Sequence, residues 1–155
     1  MSITAIGELG ADSTPLVRSA AQPGDKVYVA GRVPGTSGSA LNELLAPHAD
    51  ADSAAEAELQ RALAAHFMPA PPLAVGPALA AREHRIASID TSDGLVRDAT
   101  RIAQASGVAV VLDQAAVNSF AAELAESWNL SEREARHNVL YLSLIHISER
   151  AGKAD

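Results

Sequence analysis

The sequence has no cysteine, few aromatic residues and little positive charge. The lack of cysteine and of positive charge excludes particular kinds of protein, and the low aromatic content limits what can form the core. Without cysteine, neither a disulfide framework nor a thiolate metal site can form. No signal peptide and no apolar run of membrane-spanning length occurs, so we expect a cytoplasmic protein that binds no membrane. The formal net charge is -7 and the basic residues are scattered, so we also expect no nucleic-acid partner.

The residues that are present predict one α/β (α+β) domain. The chain has 155 residues, of which 48% are hydrophobic and only 3% aromatic, so its core must come from Ala, Leu, Val and Ile. The apolar patterns predict four strands and five main helices, and residues 86–113 form a predicted βαβ unit. The predicted strands are 2–9, 26–30, 85–89 and 108–113, and the predicted helices are 39–46, 53–67, 95–106, 115–127 and 131–141.

Two groups of residues carry only weak functional signals. The loop "GRVPGTSG" at 31–38 follows a strand and precedes a helix, an arrangement that can cradle phosphate, but it lacks the Walker spacing and lysine. We favour a plain strand-to-helix turn there. The five histidines show no metal-ligand spacing, so surface or boundary positions are expected, and no catalytic triad is evident.

The stretch "DTSDGL" at 90–95 carries the strongest chemistry. Asp90 ends a predicted strand and Asp93 precedes a helix, with two hydroxyls between them. A helix cap by Ser92 or Asp93 explains one acid. Two crowded carboxylates repel each other unless a cation compensates, and Mg²⁺ binds through one or two carboxylates together with phosphate oxygens and water. The residues alone leave helix cap and metal site about equally supported.

At "IDTSDGLVRDATRIAQASGVAVVLD" the sequence resembles thiamine-monophosphate kinase, a family of the PurM-like, AIR synthase-related ATP-binding superfamily. Two upstream segments extend the resemblance, "LVRSAAQPGDKVYVAG" and "HFMPAPPLAVGPAL". The resemblance implies a PurM-like C-terminal domain with helices packed on a mixed sheet. It also implies that Asp90 and Asp93 bind Mg²⁺, that Ser92 contacts ATP, and that Arg18 reaches the ATP phosphates. The implied reaction transfers a phosphoryl group from ATP to thiamine monophosphate, with no protein nucleophile.

The departures from the family pattern predict an incomplete enzyme. We expect residues 1–14 to be the last strand of a truncated N-terminal domain and residues 15–141 to be a partial C-terminal domain. Residues 142–155 include "LSLIHISE", which resembles a translated sequencing adapter, and are predicted to be non-native. The family's Gly-Gly-Asp and Gly-Gly-Glu-Asp segments are missing. We therefore expect the chain alone to be inactive. We also expect that it does not form the homodimer that the resemblance implies for the family.

Two alternatives remain open at this point. The substrate could instead be that of a related selenophosphate, aminoimidazole-ribotide or hydrogenase-maturation enzyme. The chain could also be a non-catalytic α/β module in which "DTSDGL" only caps a helix.

Overall fold

Six α-helices make up most of the described chain. The computed structural model describes residue 4 and residues 6–45, 53–82 and 85–142. One 3-10 turn, Arg18–Ala20, precedes the helices. The helices are α1 (Thr36–Leu45), α2 (Ser53–Phe67), α3 (Val75–Ala80), α4 (Leu95–Ser106), α5 (Gln114–Trp128) and α6 (Glu132–Tyr141).

The ends of the last three helices follow the sequence closely. α4 has the predicted bounds and stops at Gly107, which adopts the left-handed conformation (φ 66°) that glycine tolerates at a helix end. The Asp113 side chain caps α5 by accepting from the Ala116 N–H at 2.8 Å. Ser131 and Glu134 form the predicted capping box at the start of α6.

The predicted mixed sheet is not confirmed, because no strand occurs within the described ranges. The described residues of the predicted strands form no ladder, and the one isolated bridge among the described residues is the parallel pair Val17 and Ala87, with the Ser88 N–H 3.4 Å from the Val17 carbonyl. Tyr28 and Val111, on two predicted strands, are 81% and 82% exposed. A β-strand is stabilised by hydrogen bonds and side-chain contacts across its neighbours, and within the described chain no predicted strand has more than the single bridge at Ala87. The strand pattern is therefore not confirmed as a paired sheet.

The core lies between helices. α1 packs on α2, α5 packs on α6, and α6 also contacts α1 and α4. Half of the buried apolar residues are alanines, which lets helix backbones approach closely. The buried core comprises Ala40, Ala62, Ala65, Leu95, Val117, Ala121, Leu124, Trp128, Ala135 and Val139. In the described part of the chain, no helix has the length and apolar character needed to cross a membrane.

The glycine loop serves the contact between α1 and α6. A Cβ atom on Gly35 would lie 2.6 Å from the backbone carbonyl of Asn138, and one on Gly38 would lie 2.6 Å from the Cβ of Leu142. The buried Asn138 amide also donates to the Ser39 hydroxyl at 2.9 Å. Gly35 and Gly38 are therefore explained by packing, because a larger residue at either position would prevent the close approach of α1 to the end of α6.

Of the predicted non-native tail 142–155, all but Leu142 lies outside the described residues.

Candidate functional site

The acidic turn lies between the extended segment that contacts Val17 and the start of α4. Asp90 and Thr91 are exposed, and Ser92 and Asp93 are half-buried. Gly94 is the residue that caps the N-terminus of α4, and no side chain bonds there as an N-cap. The alternative in which Ser92 or Asp93 caps the helix through its side chain does not hold, because the helix begins at Leu95 and Gly94 is its N-cap residue.

Gly94 fixes the turn against the end of α6. Its backbone has φ +100°, a conformation that other residues rarely adopt, and an added Cβ would lie 2.9 Å from the Tyr141 carbonyl oxygen. Both the backbone conformation and the close approach require glycine. The sequence "DG" thus places the two acids at a defined point where α4 meets α6.

A buried carboxylate from the next turn of α4 organises this segment. Asp98, whose side chain is 2% exposed, accepts from the Asp93 N–H at 3.0 Å through Oδ2. Its other oxygen, Oδ1, accepts from Arg101 at 2.7 Å. The second arm of the Arg101 guanidinium forms an ion pair with the Asp93 carboxylate. Asp93, Asp98 and Arg101 therefore form one hydrogen-bonded cluster, called here the acid–arginine cluster.

The electrostatics of the cluster favour a permanently charged arginine. The hydrogen bond to Asp93 is the largest influence that raises the pKa of Arg101 above its ordinary value, and the hydrogen bond to Asp98 adds to it, while partial desolvation opposes both. The Arg101 side chain is 37% exposed, and that of Asp93 is 16% exposed. The cluster thus has one buried end, at Asp98, and one end that reaches solvent.

Arg18 lies at the other end of α4. Its carbonyl accepts from the Ser106 hydroxyl at 2.8 Å, and Ser106 is the last residue of the helix. The same hydroxyl accepts from the Ala21 N–H at 3.1 Å. The rise of an α-helix separates the first and last residues of α4 by about 16 Å along its axis. The structure therefore places Asp90, Ser92 and Asp93 in one turn, and the bridge between Val17 and Ala87 places the Arg18 backbone beside the segment that leads into that turn.

Asp98 and Arg101 were not singled out from the sequence, although they contact the acidic turn. They lie three residues apart on a helix, a spacing that allows an ion pair, and Asp98 follows Asp93 by five residues. Such pairs are common on solvated helix faces, so the spacing alone does not single them out. The 2% exposure of Asp98 distinguishes this pair, and burial of an acid inside a helix cannot be read from a single sequence.

The donor set of the turn fits a magnesium ion that also binds phosphate. Within the described ranges no three or more His, Asp or Glu residues gather as a metal site. Mg²⁺ does not require such a group, because it binds through one or two carboxylates and completes its shell with water and phosphate oxygens. Asp90 is exposed and offers a carboxylate, whereas the Asp93 carboxylate contacts Arg101. The metal and nucleotide roles of these residues stay predictions.

His66 departs from the expected surface or boundary position. It is 7% exposed, and its Nδ1 lies 3.0 Å from the Ser37 hydroxyl and 3.1 Å from the Ser37 carbonyl. These contacts join α2 to the first turn of α1. Among the other histidines, His137 is exposed, and His48, His84 and His146 lie outside the described residues.

A cavity of about 500 Å³ lies away from the acidic turn, between the glycine loop, α2 and α5. The Arg61 guanidinium lies 4.4 Å from the centre of the Trp128 ring beside it. The described residues that line the cavity are Val29, Gly31, Arg32, Val33, Thr36, Arg61, Ala64, Ala65, Phe120, Glu123, Leu124, Ser127 and Trp128. None of the predicted site residues is among them.

Comparisons with known proteins agree with the resemblance drawn from the acidic turn. The thiamine-monophosphate kinase of Mycobacterium tuberculosis (strain H37Rv) is 39% identical over 117 residues, which cover 76% of this chain and 32% of that protein. The thiamine-monophosphate kinase of Methanopyrus kandleri is 36% identical over 114 residues, covering 71% of this chain and 32% of that protein. The chain thus spans about a third of the length of these curated relatives, and the resemblance to this family is confirmed.

No solved structure gives a significant match to the chain. Residues 22–140 match the sequence model of the family described as "AIR synthase related protein, C-terminal domain", a PurM-like domain. That match covers more than half of the chain and includes both the acidic turn and the acid–arginine cluster. The chain therefore belongs to the family of AIR synthase related protein C-terminal domains.

Proposed function

We propose that this chain is part of a thiamine-monophosphate kinase, which phosphorylates thiamine monophosphate with ATP to give thiamine diphosphate. The observation that carries the proposal is the 36–39% identity to proteins of that name over about three quarters of the chain. The geometry of the turn at 90–95 is compatible with it, since two acids and two hydroxyls precede a helix start.

The proposed roles belong to residues of the acidic turn. Asp90 and Asp93 would hold Mg²⁺, whose positive charge would offset that of the crowded phosphate oxygens. Ser92 would contact the nucleotide from the same turn. A contact of Arg18 with the ATP phosphates is proposed from the family pattern, and Arg18 directly follows Val17, which bridges to Ala87 three residues before Asp90.

The reaction requires positioning and charge compensation from the protein. A terminal phosphate oxygen of thiamine monophosphate attacks the γ-phosphorus of ATP, the bond from that phosphorus to the β,γ-bridging oxygen breaks, and ADP leaves. The acceptor phosphate is itself the nucleophile, so no serine, cysteine or histidine nucleophile is needed. We assign no residue of this chain a covalent role.

We further propose that the chain holds only part of the enzyme. Residues 1–14 would belong to the end of an N-terminal domain, residues 15–141 to a partial C-terminal domain, and residues 142–155 to a non-native tail. The expectations of a cytoplasmic location and of a homodimer in the whole protein remain part of this proposal. On this basis the 155-residue chain alone would not turn over ATP and thiamine monophosphate.

A chimera tests the proposed function. The matched segment of the Mycobacterium tuberculosis thiamine-monophosphate kinase would be replaced by the corresponding residues of this chain, and thiamine diphosphate formation would be measured. We expect the chimera to be active and its Asp90→Asn variant to lose activity by about 100-fold or more, as when one charge-stabilising group is removed from a site. The matched control is Asp113→Asn, which changes an exposed acid that caps α5.

A chimera that folds, as judged by its circular dichroism and melting temperature, but forms no thiamine diphosphate would contradict the proposal. If the Asp90→Asn variant is as active as its parent, only the proposed role of Asp90 is contradicted and the proposed function stands.

Two other functions are each supported by one observation. The matched family description names no substrate, so another PurM-like enzyme of the selenophosphate, aminoimidazole-ribotide or hydrogenase-maturation type is the second candidate. A non-catalytic module is the third, because the acid–arginine cluster gives Asp93 a structural partner. Activity of the chimera on thiamine monophosphate separates the first proposal from both.

A further inference from the structure

The acid–arginine cluster holds a positive charge at the position where the proposed function requires a metal ion. Asp98 uses both carboxylate oxygens, one on the Asp93 N–H and one on Arg101, so its side chain is fixed. Arg101 is anchored at this buried end and reaches Asp93 with its other arm. A guanidinium presents a planar fork of donors that can serve two carboxylates at once, which a lysine ammonium does less well.

The formal charges leave room for one divalent cation. Asp90, Asp93 and Asp98 carry three negative charges and Arg101 one positive charge, so the formal charge of these four described side chains is -2. The Asp98 end is buried, whereas the contact between Arg101 and Asp93 reaches solvent. The Asp93 side chain is 16% exposed and that of Asp98 is 2% exposed, so water screens the pair with Asp93 more, and this arm can be exchanged while the bond to Asp98 persists.

We propose, on the basis of the proposed function, that Arg101 is a resident counter-ion of Asp93 that a divalent cation must displace. In the absence of metal, the guanidinium satisfies the Asp93 carboxylate and limits the repulsion between Asp93 and its acidic neighbours. When a cation binds, Asp93 exchanges the arginine for the metal, and Arg101 stays attached to Asp98. Arg101 is thus a positioning residue that sets how tightly the turn binds metal.

The test uses Mn²⁺ alone as a paramagnetic probe on the 155-residue chain. Mn²⁺ would be titrated while the broadening of the backbone amide NMR signals of residues 90–95 is followed, which needs no catalytic activity. We expect Arg101→Gln to lower the Mn²⁺ concentration for half-broadening by roughly five- to tenfold, since it removes both a competitor and a repelling charge. Arg101→Lys should give a smaller gain because it keeps the charge.

Three further variants make the measurement specific. Arg97→Gln removes the same charge from an exposed position on α4 and should change the titration less than twofold. Adding Asp93→Asn to Arg101→Gln should abolish the gain. The double variant Asp98→Asn with Arg101→Gln removes the buried charge that Arg101→Gln would leave unpaired, so it provides a folded background if the single variant is unstable.

Each outcome decides the proposal. An unchanged or weaker Mn²⁺ response in Arg101→Gln and in the double variant would overturn it. If wild-type broadening disappears in Asp90→Asn but is unaffected by Arg101→Gln, the metal site stands and only the role of Arg101 fails. If no variant shows broadening at residues 90–95, both the metal site and the role of Arg101 fail.

Discussion

Replacing Gly94 with alanine should destabilise the chain far more than the addition of one methyl group suggests. The added Cβ would lie 2.9 Å from the carbonyl oxygen of Tyr141 and 3.0 Å from its carbonyl carbon. Those neighbours are backbone atoms, which cannot rotate away as a side chain can. Overpacking of this kind costs about 1–3 kcal/mol. The positive φ of +100° adds strain of about 1–3 kcal/mol for a residue other than glycine.

Gly24 provides a matched control for the strain alone. Its φ is +95°, and no atom of the described residues outside its chain neighbours lies within 4 Å of an added Cβ. We therefore expect Gly24→Ala to lower the free energy of unfolding by the strain contribution only. Gly94→Ala should lower it by about 2–6 kcal/mol in total. The difference between the two variants isolates the contact between the acidic turn and the end of α6.

Urea unfolding followed by fluorescence measures both variants. The chain has a single tryptophan, and Trp128 is buried in the helical core with 9% exposure, so its emission reports on the packing of α5. The midpoint should shift while the dependence on urea stays constant, which indicates a change in stability rather than in the surface exposed. If the two variants differ by less than about 0.5 kcal/mol, the close approach of Gly94 to Tyr141 is refuted.

Two further predictions concern side chains that hold helix ends. Ser131→Ala should cost about 1 kcal/mol of stability by removing the α6 cap. The hydrogen bond from the Ser131 hydroxyl, and then that from its backbone, lower the pKa of Glu134 below the ordinary 4.5. The stability from this contact is therefore present above pH 4.5 and is lost as the pH falls through the lower folded-state pKa. Because Ser131→Ala removes the hydroxyl that lowers this pKa, NMR titration should show a higher pKa of Glu134 in the variant. Ser106→Ala should remove the hydrogen bonds that hold the 3-10 turn to α4, and faster hydrogen exchange at the Ala21 amide would show it, whereas unchanged exchange would contradict it.

The helix ends were predictable because their signals are local. The start of α6 depends on Ser131 and Glu134, three residues apart, and the end of α4 depends on Gly107, so a short window of sequence contains the whole cause. The sheet depends on partners that are distant in sequence. Tyr28 and Val111 have strand-forming side chains, but no local feature says whether another strand lies beside them.

The acidic turn was predictable in part for the same reason. Asp90, Ser92 and Asp93 attract attention because their types and spacing suit a cation and phosphate. The partner of Asp93 was not predictable, because Arg101 lies eight residues away and is directed there by the buried Asp98. The position of Arg18 was also hidden, since it follows from contacts of Val17 with Ala87 and of Arg18 with Ser106, which are distant in sequence.

Whether "DTSDGL" binds a metal nucleotide or only begins a helix can be measured directly in the chain. ATP binding would be titrated by calorimetry with and without Mg²⁺, for the wild type and for Asp90→Asn, together with melting temperatures. Asp90 is exposed, so the substitution should change the free energy of unfolding by no more than about 0.5 kcal/mol. A metal and nucleotide site predicts that Asp90→Asn weakens Mg²⁺-dependent ATP binding at an unchanged melting temperature. Unaltered ATP binding together with a lower melting temperature would contradict that role.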